Sequence, residues 1–369
     1  MMPAKPLTLA INARFLTRPA SGVDRVAIEL LKAMAARPDV ARLILLHPAR
    51  GSLHLGWLDS LPPAARAKLE LRPCGGPLRG HLWEQLALPR AARGQTLLSL
   101  CSTGPLLHRD QAVMIHDAQV WDAPHSYSRT FRWLYRLLLP RLTRRVRHVL
   151  TVSAFAQRRL EDLGIAPKGT VQVVPNGADH IRQIEADPDT LPRQGLRAGG
   201  YLLAIGNLAP HKNLALLLEA ASARPQSAPE LIVAGGMDAR VFSDAGLRAA
   251  PGTRLIGRVS DGELRALYEG ALALVFPSLT EGFGLPPVEA MACGCPVLAT
   301  TGGAVPEICG KAALFIDPTD RPGWTKAMTR IATDPALRAT LRDRGYEQAA
   351  RYRWATSADI LLARLRGPA

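Results

Sequence analysis

The run Ala271 to Ser278 (ALALVFPS) carries no charged side chain and no alternation of polar with apolar residues. A strand wetted on one face alternates, whereas one covered on both faces does not. The run therefore predicts a strand inside a parallel sheet with helices on both sides. Similar short strands are predicted at Leu7 to Ile11, Arg42 to His47, Ala112 to Ile115, Val149 to Val152, Val171 to Val174, Tyr201 to Ile205, Glu230 to Ala234, Arg254 to Ile256, Pro296 to Ala299 and Leu314 to Ile316. Helix-compatible segments separate them, including Val23 to Ala36, Asp238 to Ala249, Asp261 to Glu269 and a closing Trp354 to Leu365. That alternation is the pattern of α/β domains. A chain of 369 residues is too long for one ordinary core and predicts two such domains. They are placed at 1–177 and 201–350, with 178–200 as an aperiodic linker and 351–369 as a terminal helix. The Gly51 to Gly80 stretch, rich in Pro and Gly, predicts a long functional loop.

The apolar run ends in Glu281-Gly-Phe-Gly-Leu-Pro-Pro-Val-Glu289. Pro286 and Pro287 suit the first turn of a helix, which puts Gly282 to Leu285 in a loop at a helix N-terminus. Free backbone N–H groups and the helix dipole favour an anion there, and glycines let it approach. Glu281 and Glu289 flank the loop, and an ionised carboxylate accepts from sugar hydroxyls while repelling bare phosphate. A ligand with both phosphate and hydroxyls fits this pattern; so does a plain strand, turn and helix with two solvated acids. Further candidates lie at other strand ends. Lys212, with His211, follows the glycine turn after Tyr201 to Ile205, where a cation beside free N–H groups suits a diphosphate. Gly22 and Arg25 open a helix after the first strand, and His116-Asp117 ends the strand Ala112 to Ile115, the edge where open α/β sheets hold ligands.

Composition narrows the partners. The formal net charge is +15, which favours anionic ligands or an anionic membrane face. No zinc-finger spacing, RNA-binding aromatic signature or basic low-complexity tail is present, so nucleic acid is not expected. No apolar run approaches the ~18 residues of a membrane span. The N-terminal segment does not read as a signal peptide. Five scattered cysteines fit a reducing compartment rather than a disulfide framework, and Cys293-Gly-Cys295 lacks the further ligands of a zinc site. Tyr127 to Val149 carries seven arginines and no acid, with Phe131, Leu134, Tyr135 and Leu138 at helical spacing. Such a helix either packs its apolar face on the domain core or lies on an anionic membrane.

Glu281-x7-Glu289, with Gly-Phe-Gly-Leu-Pro after the first acid and Glu-Ala-Met-Ala-Cys-Gly-Cys-Pro-Val at the second, resembles the signature of the family 4 retaining glycosyltransferases. The resemblance implies the GT-B fold, two Rossmann-like parallel-sheet domains facing each other across a cleft. It also implies transfer of a hexose from a nucleotide diphosphate sugar to a hydroxyl of a lipid-linked or polysaccharide acceptor, with no cofactor and no metal. By resemblance, Glu281 and the amides of Gly282, Phe283, Gly284 and Leu285 contact the donor sugar, and Glu289 holds the ribose. Lys212, with His211 where relatives commonly have Arg, and Gly22 with Arg25 meet the diphosphate; Asp24 stands where the family often has a second glycine. His116 reaches the donor sugar near the breaking bond.

The first domain would carry the acceptor site. His81-Leu82-Trp83-Glu84-Gln85 with Leu88-Pro89 resembles a segment of enzymes acting on lipid-linked sugars and points towards a mannosyl donor; it equally suits a structural helix. The implied location is cytoplasmic, peripheral at the inner face of the plasma membrane. Two other classes remain open on sequence: a glycosidase using Glu281 and Glu289 as its acid pair, and a non-catalytic basic protein binding nucleic acid or membrane.

Overall fold

The computed structural model describes residues 6–19, 21–206, 209–235 and 251–367. The chain forms two compact units. The first comprises Met1–Ala118, Arg129–Gly177 and Trp354–Ala369; the second comprises Gln119–Ser128 and Ala178–Arg353.

The first unit is built on a parallel sheet of β1 (Leu7–Asn12), β2 (Val40–Pro48), β3 (Leu69–Cys74), β4 (Leu97–Ser99), β5 (Gln111–Met114), β6 (His148–Thr151) and β7 (Val171–Val173). Their order is β3-β2-β1-β4-β5-β6-β7. β1 lies in the middle with Ala10 paired to Ile44 on one side and Leu97 on the other, and Leu9, Ala10 and Ile11 are buried. The order turns back beside β1, and at that point the connections leave in opposite directions and open a crevice at the carboxyl ends of the strands. The helix Trp354–Arg366 packs on the helix Gly22–Ala35, tied by Arg37 to Asp359 at 2.8 Å. Gly177 lies against the Trp354 ring and backbone, so closely that no side chain fits there.

The second unit repeats the plan with β8 (Tyr201–Ile205), β9 (Glu230–Ala234), β10 (Thr253–Gly257), β11 (Ala273–Phe276), β12 (Val297–Thr300) and β13 (Ala313–Ile316), ordered β10-β9-β8-β11-β12-β13. β11 is the apolar run, and all four of its residues are buried. Its core joins Leu202, Leu217, Leu231, Val275, Trp324 and Ile331.

Several details depart from the sequence reading. Part of the expected loop Gly51 to Gly80 is β3, an edge strand whose side chains are half-buried or exposed, so it lacks the continuous apolar signal of the inner strands. β4 is only three residues long and gave no separate signal. Residues 178–200 do not run as a bare linker: His180 and Ile181 are buried, Asp187 N–H donates to Gly262 O, and Gly199 N–H donates to Gly270 O. Residues 119–128 belong with the second unit, where Ser126 and Tyr127 seat His211. The helix expected over 238–249 lies outside the described residues.

The Arg129–Thr143 helix buries only Leu138, Leu139, Leu142 and Thr143, all in its second half. Phe131, Leu134 and Tyr135 are half-buried, while Trp133 is 67% and Leu137 38% exposed. Its apolar residues are thus split between core and solvent.

A glycine turn after β12 fixes the loop that follows β11. Gly303 has φ +67°, and a Cβ there would overlap the backbone of Glu281, while Ala304 N–H donates to Glu281 O at 2.9 Å. Gly303→Ala adds the left-handed penalty of roughly 1–2 kcal/mol to this overlap. The expected result is a melting temperature lower by several degrees, measured by calorimetry; an unchanged value would show that the turn is not held by this contact.

Candidate functional site

In the second unit, β8 and β11 are neighbours and the strand order turns between them. The chain leaving β8 makes a 3₁₀ turn at Pro210–Lys212 and enters the helix Leu214–Ser222 through Asn213 in the left-handed region, φ 56°. The amide of Asn213 repays that conformation by donating to Pro277 O (3.1 Å) and Pro318 O (2.7 Å). The chain leaving β11 passes Gly284, φ 91°, before the helix Leu285–Ala292. These two turns bring Lys212 Nζ to 2.7 Å from Glu281 Oε1, and 5.8 Å from the Phe276 ring centre. The pair is mostly buried, at 22% and 11% side-chain exposure. An ammonium has three donors, so Lys212 can hold this carboxylate and still donate to an arriving phosphate.

His211 is placed differently from its neighbour. Its ring is buried, with Nδ1 3.0 Å from Ser126 Oγ, and lies parallel to Tyr127 at 6.5 Å. Burial and the adjacent Lys212 depress its pKa, outweighing Glu281, which keeps the ring neutral at pH 7. His211 therefore adds no positive charge beside Lys212.

Glu289 lies on the buried face of its helix with both oxygens engaged. His180 Nε2 approaches Oε1 at 3.0 Å, and the Tyr268 hydroxyl donates to Oε2 at 3.0 Å. Burial and the Glu289 charge push the Tyr268 phenol well above its ordinary value, so it remains a donor. Each carboxylate oxygen has further acceptor capacity, and the two partners fix its direction. Phe283 is buried, with its ring edge-on to Tyr352 at 5.4 Å, so its side chain serves packing. Gly284 is required by its positive φ, and Leu285 is the first residue of the helix.

Gly22, Arg25 and His116 lie in the first unit. Ser21 and Asp24 form a capping box in which Ser21 N–H donates to Asp24 Oδ2 at 2.9 Å, and Arg18 pairs with Asp24 at 2.7 Å. Asp24 thus has a structural reason to replace a glycine. Gly22 is exposed, and a Cβ there would meet nothing within 4 Å, so packing does not demand a glycine. Arg25 is half-buried in the first turn. His116 is buried and its Nε2 donates to Leu100 O at 2.7 Å, which leaves Nδ1 as the acceptor of a neutral ring. Burial lowers its pKa despite the Leu100 bond and Asp24.

Sequence reasoning missed a second polar centre at the β1–β4 turn of strand order. Glu84, fully buried, accepts from Asn12 Nδ2 at 2.8 Å and Thr103 Oγ1 at 3.0 Å, lies 3.6 Å from Arg14 Nε, and faces His81 Nδ1 at 3.2 Å. Burial alone would raise its pKa, but His81, Arg14 and Asn12 hold it below the usual carboxylate range. Its neighbour Trp83 is also fully buried and donates Nε1–H to Cys74 O at 2.9 Å, and Gln85 clamps the chain at Gly104 O (2.9 Å) and Leu106 N (3.0 Å). His180, Tyr268, Asn12 and Arg14 carried no local signal, because their partners lie far away in sequence.

Among the described residues no cluster of three or more His, Cys, Asp or Glu is arranged for a metal ion. Burial pushes the Cys293 thiol up to about 12, keeping it protonated.

Comparison with known proteins gives these turns a context. Residues 20–182 match the model described as Glycosyltransferase Family 4, and residues 194–348 the model described as Glycosyl transferases group 1. O-antigen chain mannosyltransferase RfbU of Salmonella typhimurium is 30% identical over 239 residues, 63% of this chain and 64% of that protein. O-antigen chain mannosyltransferase B of Escherichia coli is 28% identical over 363 residues, 91% and 93% respectively. Among solved structures, sucrose-phosphate synthase of Thermosynechococcus elongatus superposes with a TM-score of 0.72 at 18% identity over 98% of both chains. With the two models side by side on two parallel-sheet units, the chain belongs to the family 4, group 1 glycosyltransferases and has their GT-B fold.

Proposed function

We propose that this glycosyltransferase moves a mannosyl residue from GDP-mannose to a hydroxyl of a lipid-linked or polysaccharide acceptor, with retention of configuration and without a metal ion. The observation that carries the reading is the Lys212–Glu281 pair at the β8–β11 turn beside a helix N-terminus: a cation for the diphosphate bound to a carboxylate for the sugar. The mannosyl assignment is supported by the two O-antigen mannosyltransferases that resemble the chain along much of its length.

Charge is the central demand of the reaction. As the glycosidic bond lengthens, negative charge gathers on the departing diphosphate, and Lys212 with the backbone amides of the 282–285 loop would meet it as pre-aimed donors. In same-face attack, the bond from the anomeric carbon to the nucleotide oxygen breaks while the acceptor oxygen bonds to that carbon. The acceptor proton passes to the leaving phosphate. Glu281, already neutralised by Lys212, positions the sugar, and Glu289, aimed by His180 and Tyr268, holds the ribose. The family models that match the chain are those of glycosyltransferases, which favours transfer over a glycosidase use of the two acids. His116, neutral and anchored through Nε2, offers Nδ1 to a sugar hydroxyl.

The proposed location is the cytoplasmic face of the membrane, with the exposed Trp133 and the arginines of Arg129–Thr143 against anionic lipid. Replacing Trp133 by Ser together with Arg132 and Arg136 by Gln should lower co-flotation with phosphatidylglycerol vesicles several-fold. Unchanged flotation would remove this helix from the membrane contact.

The donor reading is tested by thermal stabilisation with GDP, UDP, ADP and their sugars, with and without magnesium. A ligand at 100 times its Kd adds about 2.7 kcal/mol to the folded state. A rise selective for GDP and independent of magnesium is expected; no rise with any nucleotide would overturn the donor site, and a rise only with magnesium would overturn the metal-free mechanism. Glu289→Ala should weaken GDP binding about tenfold or more, a loss of ~1.4 kcal/mol. Glu281→Ala should cost turnover about a hundredfold while leaving bare GDP within a few-fold, and the opposite split would exchange their roles. His116→Ala should abolish transfer with GDP binding retained; full activity in that variant would exclude His116 from the reaction.

A further inference from the structure

The segment 119–128 has no part in the donor reading, although it lies against both turns that carry Lys212 and Glu281. The chain leaves the first unit after Ala118 and re-enters it at Arg129, yet what lies between packs with the second unit. Its own backbone shapes it: Ala123 N–H donates to Gln119 O at 2.8 Å, Ser126 N–H to Ala123 O at 3.0 Å, and Tyr127 N–H to Pro124 O at 3.2 Å. The result is one helical turn, Gln119–Asp122, followed by a 3₁₀ turn, Pro124–Ser126.

The Ser126 hydroxyl meets His211 twice. The His211 backbone N–H donates to Ser126 Oγ at 3.3 Å, and Nδ1 lies 3.0 Å from the same oxygen. A hydroxyl that accepts from the backbone can give its own hydrogen to the ring, provided that Nδ1 is an acceptor. Burial and Lys212 keep the ring neutral, which supplies that acceptor. An arginine has donors only and could not take the hydroxyl hydrogen, so histidine has a use at this position. At the other end of the segment, the Tyr127 hydroxyl donates to Gln119 Oε1 at 2.8 Å and turns the amide nitrogen towards Thr280 O, 3.4 Å away. The two turns are also tied directly, since Leu279 N–H donates to His211 O at 2.8 Å.

These contacts close a circuit that runs from Ser126 to His211, across to Leu279 and Thr280, and back through Gln119 to Tyr127. Lys212 follows His211 and Glu281 follows Thr280, so the pair stands next to the circuit at both points where it crosses the turns. A second support of the same loop is the Gly302-Gly303 turn, where a Cβ would overlap Leu279 O and the Glu281 backbone. Of the two groups, Glu281 is the more sensitive to its setting. An ammonium on a four-carbon stem acts as a point charge and can follow a phosphate, whereas a carboxylate accepting from hydroxyls depends on direction.

We infer that Ser126 and Gln119 are positioning residues of the donor site, holding the Lys212 and Glu281 turns in register through His211 and Thr280. The inference deepens the transferase reading and rests on it for the word donor; the coupling of the two turns is measurable without any ligand.

The experiment combines amide hydrogen exchange of the full chain with calorimetric titration of GDP and GDP-mannose, in the parent, Ser126→Ala, Ser126→Thr and Gln119→Ala. Without ligand, Ser126→Ala should raise exchange about fivefold or more at residues 279–282 as well as at 209–213. It should weaken GDP-mannose about tenfold and bare GDP less than about threefold, because only the sugar needs the direction of Glu281. Ser126→Thr keeps the hydroxyl and should restore both exchange and affinity. Gln119→Ala should give the same split, with the melting temperature within a few degrees of the parent. Unchanged exchange at 279–282 in Ser126→Ala, an equal loss of GDP and GDP-mannose, or no recovery in Ser126→Thr overturns the inference. A parent that binds neither GDP nor GDP-mannose overturns the donor reading instead, and the exchange result then decides the coupling alone.

Discussion

Both sheets reverse their strand order beside their own first strand, and the functional geometry depends on that constraint. A parallel sheet must return each crossover over one face; where the direction of winding changes, two neighbouring strands deliver their loops to opposite sides and leave space at their carboxyl ends. In the second unit this is the β8–β11 pair and it brings Lys212 to Glu281. In the first unit it is the β1–β4 pair and it brings Asn12 and Thr103 to Glu84. The chemistry differs because the side chains at the strand ends differ, while the backbone plan is shared.

The carboxylates at these turns are each controlled by a named partner. Glu281 is held by a cation, Glu289 by a phenol and an imidazole, Glu84 by an amide, a hydroxyl, an arginine and a histidine, and Asp24 by an arginine and a helix cap. Burying an acid without such partners costs several kcal/mol, roughly the margin of stability of a whole domain. The partners therefore do two things at once: they permit burial and they fix where the remaining lone pairs point. His211 is the contrasting case, a basic residue whose burial keeps it neutral and whose ring is used to hold Ser126 and Tyr127 in place.

What was legible in the sequence follows from the range of each interaction. Strands buried on both faces announce themselves as apolar runs, so β11, β8 and β1 were readable; β3, at an edge with Leu71 and Pro73 exposed and the charged Glu70 and Arg72 half-buried, was not. The Glu281 to Glu289 loop was readable because strand, glycines, prolines and acids are contiguous. The partners of Glu289 were not, since His180 and Tyr268 lie far from it along the chain and meet it only after the second unit has folded. The segment 178–200 looked like a linker because its helices, His180–Gln183 and Thr190–Arg193, are only four residues long, too short to show a period, and its ties to Tyr352, Gly262 and Gly270 are distant in sequence. Gly303 was likewise silent, because its need for a missing side chain comes from Glu281 on another loop.

Trp83, Glu84 and Gln85 show how tightly one helical turn can be committed. Successive residues of a helix point about 100° apart, and here the three directions are the core, the polar centre and the 104–106 loop. A single-residue insertion or deletion ahead of this helix would turn all three at once, presenting the indole to the buried polar groups and the carboxylate to the apolar core. The helix Gly80–Leu86 is thus free to vary in composition on its outer face, where Leu82 and Leu86 are exposed, yet is fixed in length and phase.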